Sequence, residues 1–242
     1  LKKVDVSKGD VKRQVSNVLK ALSETYRYQS LGEYRALLSL YNITVEEARG
    51  EVHGREYRGF VYSVTDGAGN KTGNPLKASR FGKYAGYEAF DNRCAASRIE
   101  LKEKGLAGRT KTTILATLRQ ASGKDKLIRA LESKGIDTVL RETDTGRIYG
   151  ATFIDHNAGI VANGSVLGKE FSANVFNDLY PAPKQAQQVA EQHVEQKHEV
   201  QNHAANPISG IVDTVLDLAD TQAYEEQQRQ MQQRRKKRRH RS

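Results

Sequence analysis

Cysteine occurs once in the 242 residues, at Cys94. A single thiol excludes an internal disulfide framework and suits a reducing compartment. Cys94 falls in a helical pattern, where a lone cysteine behaves as a small buried hydrophobe rather than a reactive thiol. Apolar side chains are also scarce, at 37% of the chain, and few of them lie in the last sixty residues. No apolar run approaches the ~18 residues of a spanning helix, and no secretory signal is visible. Stable membrane insertion is therefore not expected, and a cytoplasmic setting is. The chain opens on Leu1 rather than Met, which reads as a piece of a larger protein. Its length allows one or two cores.

The usual signatures of catalysis are missing too. No GxxxxGK[ST] phosphate loop occurs. A zinc pair on a helix needs histidines four apart, whereas His193, His198 and His203 are spaced by five, about 140° apart on a helix. They read as titrating groups in a polar spacer. His156 ends a strand and has no second ligand near it in sequence, so it reads as a turn residue. Gly164-Ser165-Val166-Leu167-Gly168 has the letters of a hydrolase elbow, but that elbow needs a buried strand feeding a helix. Its counterpart earlier in the chain, Ala78-Ser79-Arg80-Phe81-Gly82, lacks the first glycine. No catalytic residue, metal ligand or cofactor is assigned to this chain.

What the sequence does have is a repeat, which takes precedence over other signals. Tyr149-Gly150-Ala151-Thr152-Phe153-Ile154-Asp155, a turn, then Gly164-Ser165-Val166-Leu167-Gly168-Lys169 restates Tyr57-Arg58-Gly59-Phe60-Val61-Tyr62-Ser63, a turn, then Ala78-Ser79-Arg80-Phe81-Gly82-Lys83. Both copies end on Ser-x-[Phe/Leu]-Gly-Lys. Upstream, the stretch around Leu37-Leu38 and Ile43 matches the one around Ala130-Leu131 and Ile136. The offset is 93 at the isoleucines, 91 at the strand glycines and 86 at the serines, so the slippage falls in turns.

Charge divides the chain in three. Residues 1–180 hold 29 basic and 21 acidic side chains, residues 181–228 hold 2 and 8, and residues 229–242 hold 8 and none. A basic body, an acidic Gln-rich spacer and a basic tip suggest contact with nucleic acid at two places.

The periodicity predicts an α+β fold of two repeated units, each of helices plus a small three-stranded antiparallel sheet, followed by a largely helical or disordered tail. The first repeat spans 1–83. It has helices over 7–26 (Val11, Val15, Val18, Leu19 and Leu22 inward, with Ser7 or Asp10 as cap) and 30–41. Its strands run over 43–52, 55–66 and 71–80. Asn74-Pro75 makes the last strand an edge or an irregular one. A linking helix runs over 84–108. The second repeat, 109–180, has strands over 138–142, 147–155 and 159–167, then a helix over 172–179. Alternation puts Tyr149, Ala151 and Phe153 on one side of its sheet and Ile148, Thr152 and Ile154 on the other, so that sheet can be covered on both faces. Residues 181–206 form a polar linker. Within 207–228, Ile208, Ile211, Val212, Val215 and Leu216 make an amphipathic face for a partner protein or for the body. The tail over 229–242 carries Arg234, Arg235, Lys236, Lys237, Arg238 and Arg239, a phosphate-seeking run.

A hydroxyl, an approachable glycine backbone and a lysine at a strand end suit a phosphate contact. The candidate DNA-binding set is therefore Arg55, Arg58, Lys77, Ser79, Arg80 and Lys83 in the first copy, and Arg141, Arg147, Ser165 and Lys169 in the second. The bland reading of Ser and Gly is that they shape the corner after the strand. Paired surface aromatics of an RNA-stacking sheet are not evident.

Three segments carry a resemblance: Tyr34-Arg35-Ala36-Leu37-Leu38 with Tyr41-Asn42-Ile43; Gly73-Asn74-Pro75 to Ser79-Arg80-Phe81-Gly82-Lys83; and Gly146-Arg147-Ile148-Tyr149-Gly150 through Phe171-Ser172-Ala173-Asn174. Over residues 1–180 the chain resembles the region after the nuclease domain in Bacteroidetes relaxases, the mobilisation nucleases. In that family an N-terminal domain holds a tyrosine nucleophile and a histidine cluster with a divalent metal, and nicks origin-of-transfer DNA. None of that motif stands here. The resemblance implies a bacterial, non-catalytic accessory segment. Its partners would be single-stranded or hairpin origin DNA, and transfer or coupling proteins. A competing reading is a protein-interaction module that docks through 208–220.

Overall fold

The computed structural model of the chain describes residues 1–52 and 54–180. The expected linker, the amphipathic segment with Ile208, Ile211, Val212, Val215 and Leu216, and the basic run from Arg234 to Arg239 lie outside the described residues.

The two copies fold alike. The first runs α1 (Val11–Thr25), α2 (Leu31–Ser39), β1 (Ile43–Val52), β2 (Arg55–Thr65) and β3 (Lys71–Lys77). Two 3₁₀ turns at Ala78–Arg80 and Lys83–Ala85 then lead into α3 (Tyr87–Glu103). The second runs α4 (Ala107–Gln120), α5 (Lys124–Glu132), β4 (Ile136–Glu142), β5 (Ile148–Asp155), β6 (Ile160–Asn163) and a single turn, α6 (Gly164–Leu167). A 3₁₀ turn at Lys169–Phe171 leads into α7 (Ala173–Leu179). The result is an α+β chain with two separate antiparallel sheets, ordered β1-β2-β3 and β4-β5-β6. The pairing keeps the offsets of the sequence: Ile43 faces Val64, and Ile136 faces Asp155.

Local chemistry sets the boundaries. The Asp10 carboxylate accepts from the Arg13 N–H at 3.1 Å and starts α1, while Ser7 sits in a short 3₁₀ turn of its own, capped by Asp5. Val15, Val18, Leu19 and Leu22 are buried as the spacing required. Ser30 caps α2. That helix gives way to β1 at Asn42, whose φ of 59° is left-handed; Gly135 does the same before β4, with φ 76°.

Four expectations need correction. The third strands are shorter than the alternation suggested, because the chain leaves the sheet at Lys77 and at Asn163 and coils into turns. The long helix starts at Tyr87 rather than Tyr84, after the 3₁₀ turn at Lys83–Ala85. That helix ends at Glu103 rather than at 108 and is more than a link: its Phe90 and Cys94 pack into the first core and Leu101 against the second, and α7 is its counterpart. Finally, Ile148 shares the side of Ala151 and Phe153. A bulge opposite Arg141 and Glu142 takes up Tyr149 as an extra residue, which switches the alternation.

Two cores result. The first gathers Leu19, Leu22, Leu37, Leu38, Ile43, Val45, Phe60 and Tyr62, with Tyr28 stacked on Tyr34 at 4.8 Å between ring centroids. The second gathers Ile114, Leu127, Leu131, Ile148, Phe153, Phe171 and Phe176. Ile154 and Val161 cross over: they belong to the second sheet but bury in the first core. The second sheet is thus covered on both faces, as expected.

The repeats are also stitched through the backbone. Arg27, between α1 and α2, donates its N–H to Gly159 O and accepts from Val161 N–H, each at 2.9 Å, extending β6 by one parallel bridge. Glu33 on α2 is fully buried, and its carboxylate accepts from Gln29 N–H at 2.6 Å and from Asn163 N–H at 2.9 Å. A glutamate one turn into a helix reads as a solvent-facing residue in sequence, so this peg was not foreseen.

Candidate nucleic-acid interface

The Ser-x-[Phe/Leu]-Gly-Lys motif divides its labour. Its third residue is an anchor: Phe81 packs edge-on against Tyr62 at 5.8 Å between centroids, and Leu167 is buried in the second core. Gly82 has φ 116°, a conformation that favours glycine. In the second copy the constrained glycine is Gly164, where a Cβ would lie 1.8 Å from the Phe171 carbonyl oxygen. Glycine and the apolar residue therefore shape the corner, whereas the bland reading gives that role to Ser and Gly. The outermost members, Ser79, Lys83, Ser165 and Lys169, remain exposed.

The first copy adds exposed cations to this corner. Lys77 ends β3, and Arg80 and Lys83 lie in the two short 3₁₀ turns that follow, all three exposed. No ion pair among the described residues uses any of them, nor Arg55. Arg58 differs from the expectation of a free phosphate ligand. It donates to Glu47 at 2.6 Å and lies 4.2 Å over the Tyr87 ring, as Arg49 also donates to Glu47. Those contacts hold the Glu47 carboxyl below its usual range against the opposing cost of burial.

Strand pairing sorts these charges by face, since cross-strand partners share a side. Glu47, Arg49, Arg58, Glu51 and Glu56 continue the side that buries Ile43, Val45, Phe60 and Tyr62. The opposite, outward side carries Glu46, Ala48, Gly50, Tyr57, Gly59 and Arg55, and β3 adds Lys77 opposite Val61 and Lys71 opposite Thr65. Glu46 is the carboxylate of that outward set, and Lys71 pairs with it. A Cβ at Gly59 would meet nothing within 4 Å. The inner end of this side buries Ser63 and Thr65, but from Val61 and Glu46 out to the hairpin tip it is not closed over, and it carries net positive charge next to the cationic corner.

The second copy is built otherwise. Its sheet has no open face, and Arg141, where the first copy has Ala48, lies over Gly150: a Cβ there would come within 2.5 Å of its guanidinium nitrogens. The Arg141 guanidinium sits 5.9 Å from the Tyr149 ring, and its Nε has no hydrogen-bond partner among the described residues. Arg147, Ser165 and Lys169 are exposed on the turns. The ten predicted body residues are therefore not one surface. Lys77, Ser79, Arg80 and Lys83 share one corner in the first copy, with Arg55 on the same sheet's outward side.

Histidine 156 is more than a turn residue. Its Nδ1 meets the Tyr26 hydroxyl at 2.6 Å and its Nε2 meets Asp137 at 2.9 Å, joining α1's end to the second sheet. Burial, with Tyr41 beside it, pushes the Tyr26 phenol up to about 12, so it stays protonated and is a poor nucleophile at neutral pH. Cys94 is buried and its thiol is likewise pushed up to about 12 by burial. Among the described residues no group of three His, Cys, Asp or Glu side chains is placed to hold a metal ion, and no helix is long and apolar enough to cross a membrane. No protein-family profile, curated protein or solved structure matches this chain.

Proposed function

We propose that this chain is a non-catalytic, DNA-binding accessory region of a relaxase, positioning origin-of-transfer DNA during mobilisation of a plasmid or conjugative element. The observation that carries the reading is the cationic corner Lys77-Arg80-Lys83 beside the open face of the first sheet. Unpaired lysines and arginines on a turn can neutralise backbone phosphates without reading bases. The relaxase context rests on the sequence resemblance, and any nicking chemistry with its divalent metal belongs to a nuclease domain, not to these residues.

The test is fluorescence anisotropy of the full chain with an origin-type hairpin oligonucleotide and a scrambled duplex across several salt concentrations. The expected result is tighter binding to the hairpin and a linear fall of log affinity with log salt, at about 0.7 to 0.9 per phosphate contacted. Absence of binding to either would overturn the reading in favour of a protein-interaction module.

A further inference from the structure

At the outer end of the first hairpin, past the last pairing with β3 at Val61, the sheet is only two strands wide. There Tyr57 stands directly opposite Gly50, and the ring lies across that glycine: a Cβ on Gly50 would come within 2.6 Å of Cε1 and 2.8 Å of the hydroxyl oxygen. The residue is nonetheless 47% exposed. One side of it is floored by backbone, and the rest stands open. The core aromatics of the same strand, Phe60 and Tyr62, face the other way.

The neighbours on the same side fit one kind of ligand. Next to Tyr57 come Gly59 and Ala48, small and without charge, so a planar group can approach the ring without a steric wall. Arg55 lies at the tip and Lys77 at the inner end of this side, while Glu51 and Glu56 point to the opposite one. A π face between two cationic side chains, with Glu51 and Glu56 turned away and Glu46, the carboxylate on this side, paired with Lys71, matches a base flanked by its backbone phosphates.

Resting on the DNA-binding reading above, we infer that Tyr57, braced on Gly50, is a stacking platform for an unpaired nucleobase, so that the first sheet's outward face takes single-stranded nucleic acid in preference to duplex. A paired base keeps both faces inside the helix stack and cannot reach this ring. The phosphates on either side of the stacked base then fall to Arg55 and to the Lys77 corner. Tyr57 acts by contact with the base, and Gly50 is a positioning residue that acts through the ring.

The test uses the full chain with a single-stranded oligonucleotide carrying 2-aminopurine and with the corresponding duplex. Wild type is expected to quench the 2-aminopurine of the single strand. Tyr57→Ala is expected to abolish that quenching and weaken single-strand binding roughly tenfold, with duplex affinity little changed. Tyr57→Phe keeps the π face and is expected to retain both signals. Gly50→Ala leaves the tyrosine in place but displaces its ring, and is expected to lower quenching as well. Equal loss on single strand and duplex for Tyr57→Ala would overturn the platform, as would unchanged quenching, while leaving DNA binding itself intact. Failure of wild type to bind either oligonucleotide would instead overturn the DNA-binding reading on which the platform rests.

Discussion

The two repeats share a plan and differ in what covers their sheets. In the first, one sheet face closes the core and the outer half of the other, beyond the buried Ser63 and Thr65, is open. In the second, α2 and the first core cover the face that the first repeat leaves bare, through Ile154 and Val161. The counterparts follow that difference. Where the first copy has Ala48 facing an open Gly59, the second has Arg141 folded over Gly150. One copy has been turned into scaffold, so the other can keep a free surface without unfolding. Duplication supplies this division cheaply, because a three-stranded sheet needs cover on only one face to be stable.

The comparison breaks most severely at Glu33. Its removal orphans two backbone N–H groups, that of Gln29 within the first repeat and that of Asn163 across the repeats, each costing roughly 1–3 kcal/mol. Glu33→Ala should therefore lower stability in urea unfolding by about 3 kcal/mol. The residue at the equivalent position of α5 is Lys126, an exposed side chain that donates only to Ser122. Lys126→Ala should stay within about 0.5 kcal/mol. Burial raises the Glu33 carboxyl above its ordinary value even though the backbone N–H bonds, that of Asn163 foremost, pull it down. The folded state thus binds that proton more tightly than the unfolded chain. Its contribution is full at pH below the ordinary carboxyl range and is lost as pH rises through the raised value. Glu33→Gln should remove that part of the pH dependence.

A smaller effect is expected at the corners. Gly164→Ala drives a methyl into the Phe171 carbonyl and should cost about 1–3 kcal/mol, read as a shift in thermal midpoint. The reciprocal change in the first copy, Ala78→Gly, should cost only about 0.5–1 kcal/mol. Equal losses would mean that the two corners are packed alike.

Much of the plan was legible in the sequence because the repeat is local. The offsets of 93, 91 and 86 predict the helices, the hairpins and the motif corners. Asp10 and Asn42 mark boundaries by chemistry that depends only on neighbouring residues. The departures at Tyr149, Glu33 and Tyr57 depend on contacts distant in sequence. The bulge at Tyr149 changes strand parity through its partner strand. Glu33 is buried by Asn163, which is 130 residues away. The exposure of Tyr57 follows from β3 ending its pairing at Val61, which no single-strand alternation reveals. The corner residues were found by their repeated letters, but the same letters equally pointed to Ser165 and Lys169, with Arg141 as a nearby cation, and only packing separates an open face from a covered one.

The central claim is that the first repeat, not the second, carries the nucleic-acid surface. The most direct measurement is the salt dependence of hairpin binding for two triple variants, Lys77→Ala/Arg80→Ala/Lys83→Ala and Arg141→Ala/Arg147→Ala/Lys169→Ala. The account predicts that the first lowers the slope of log affinity against log salt by about 2 to 3, and that the second changes it by less than 1. Equal slopes for the two, or a larger change from the second, would contradict it.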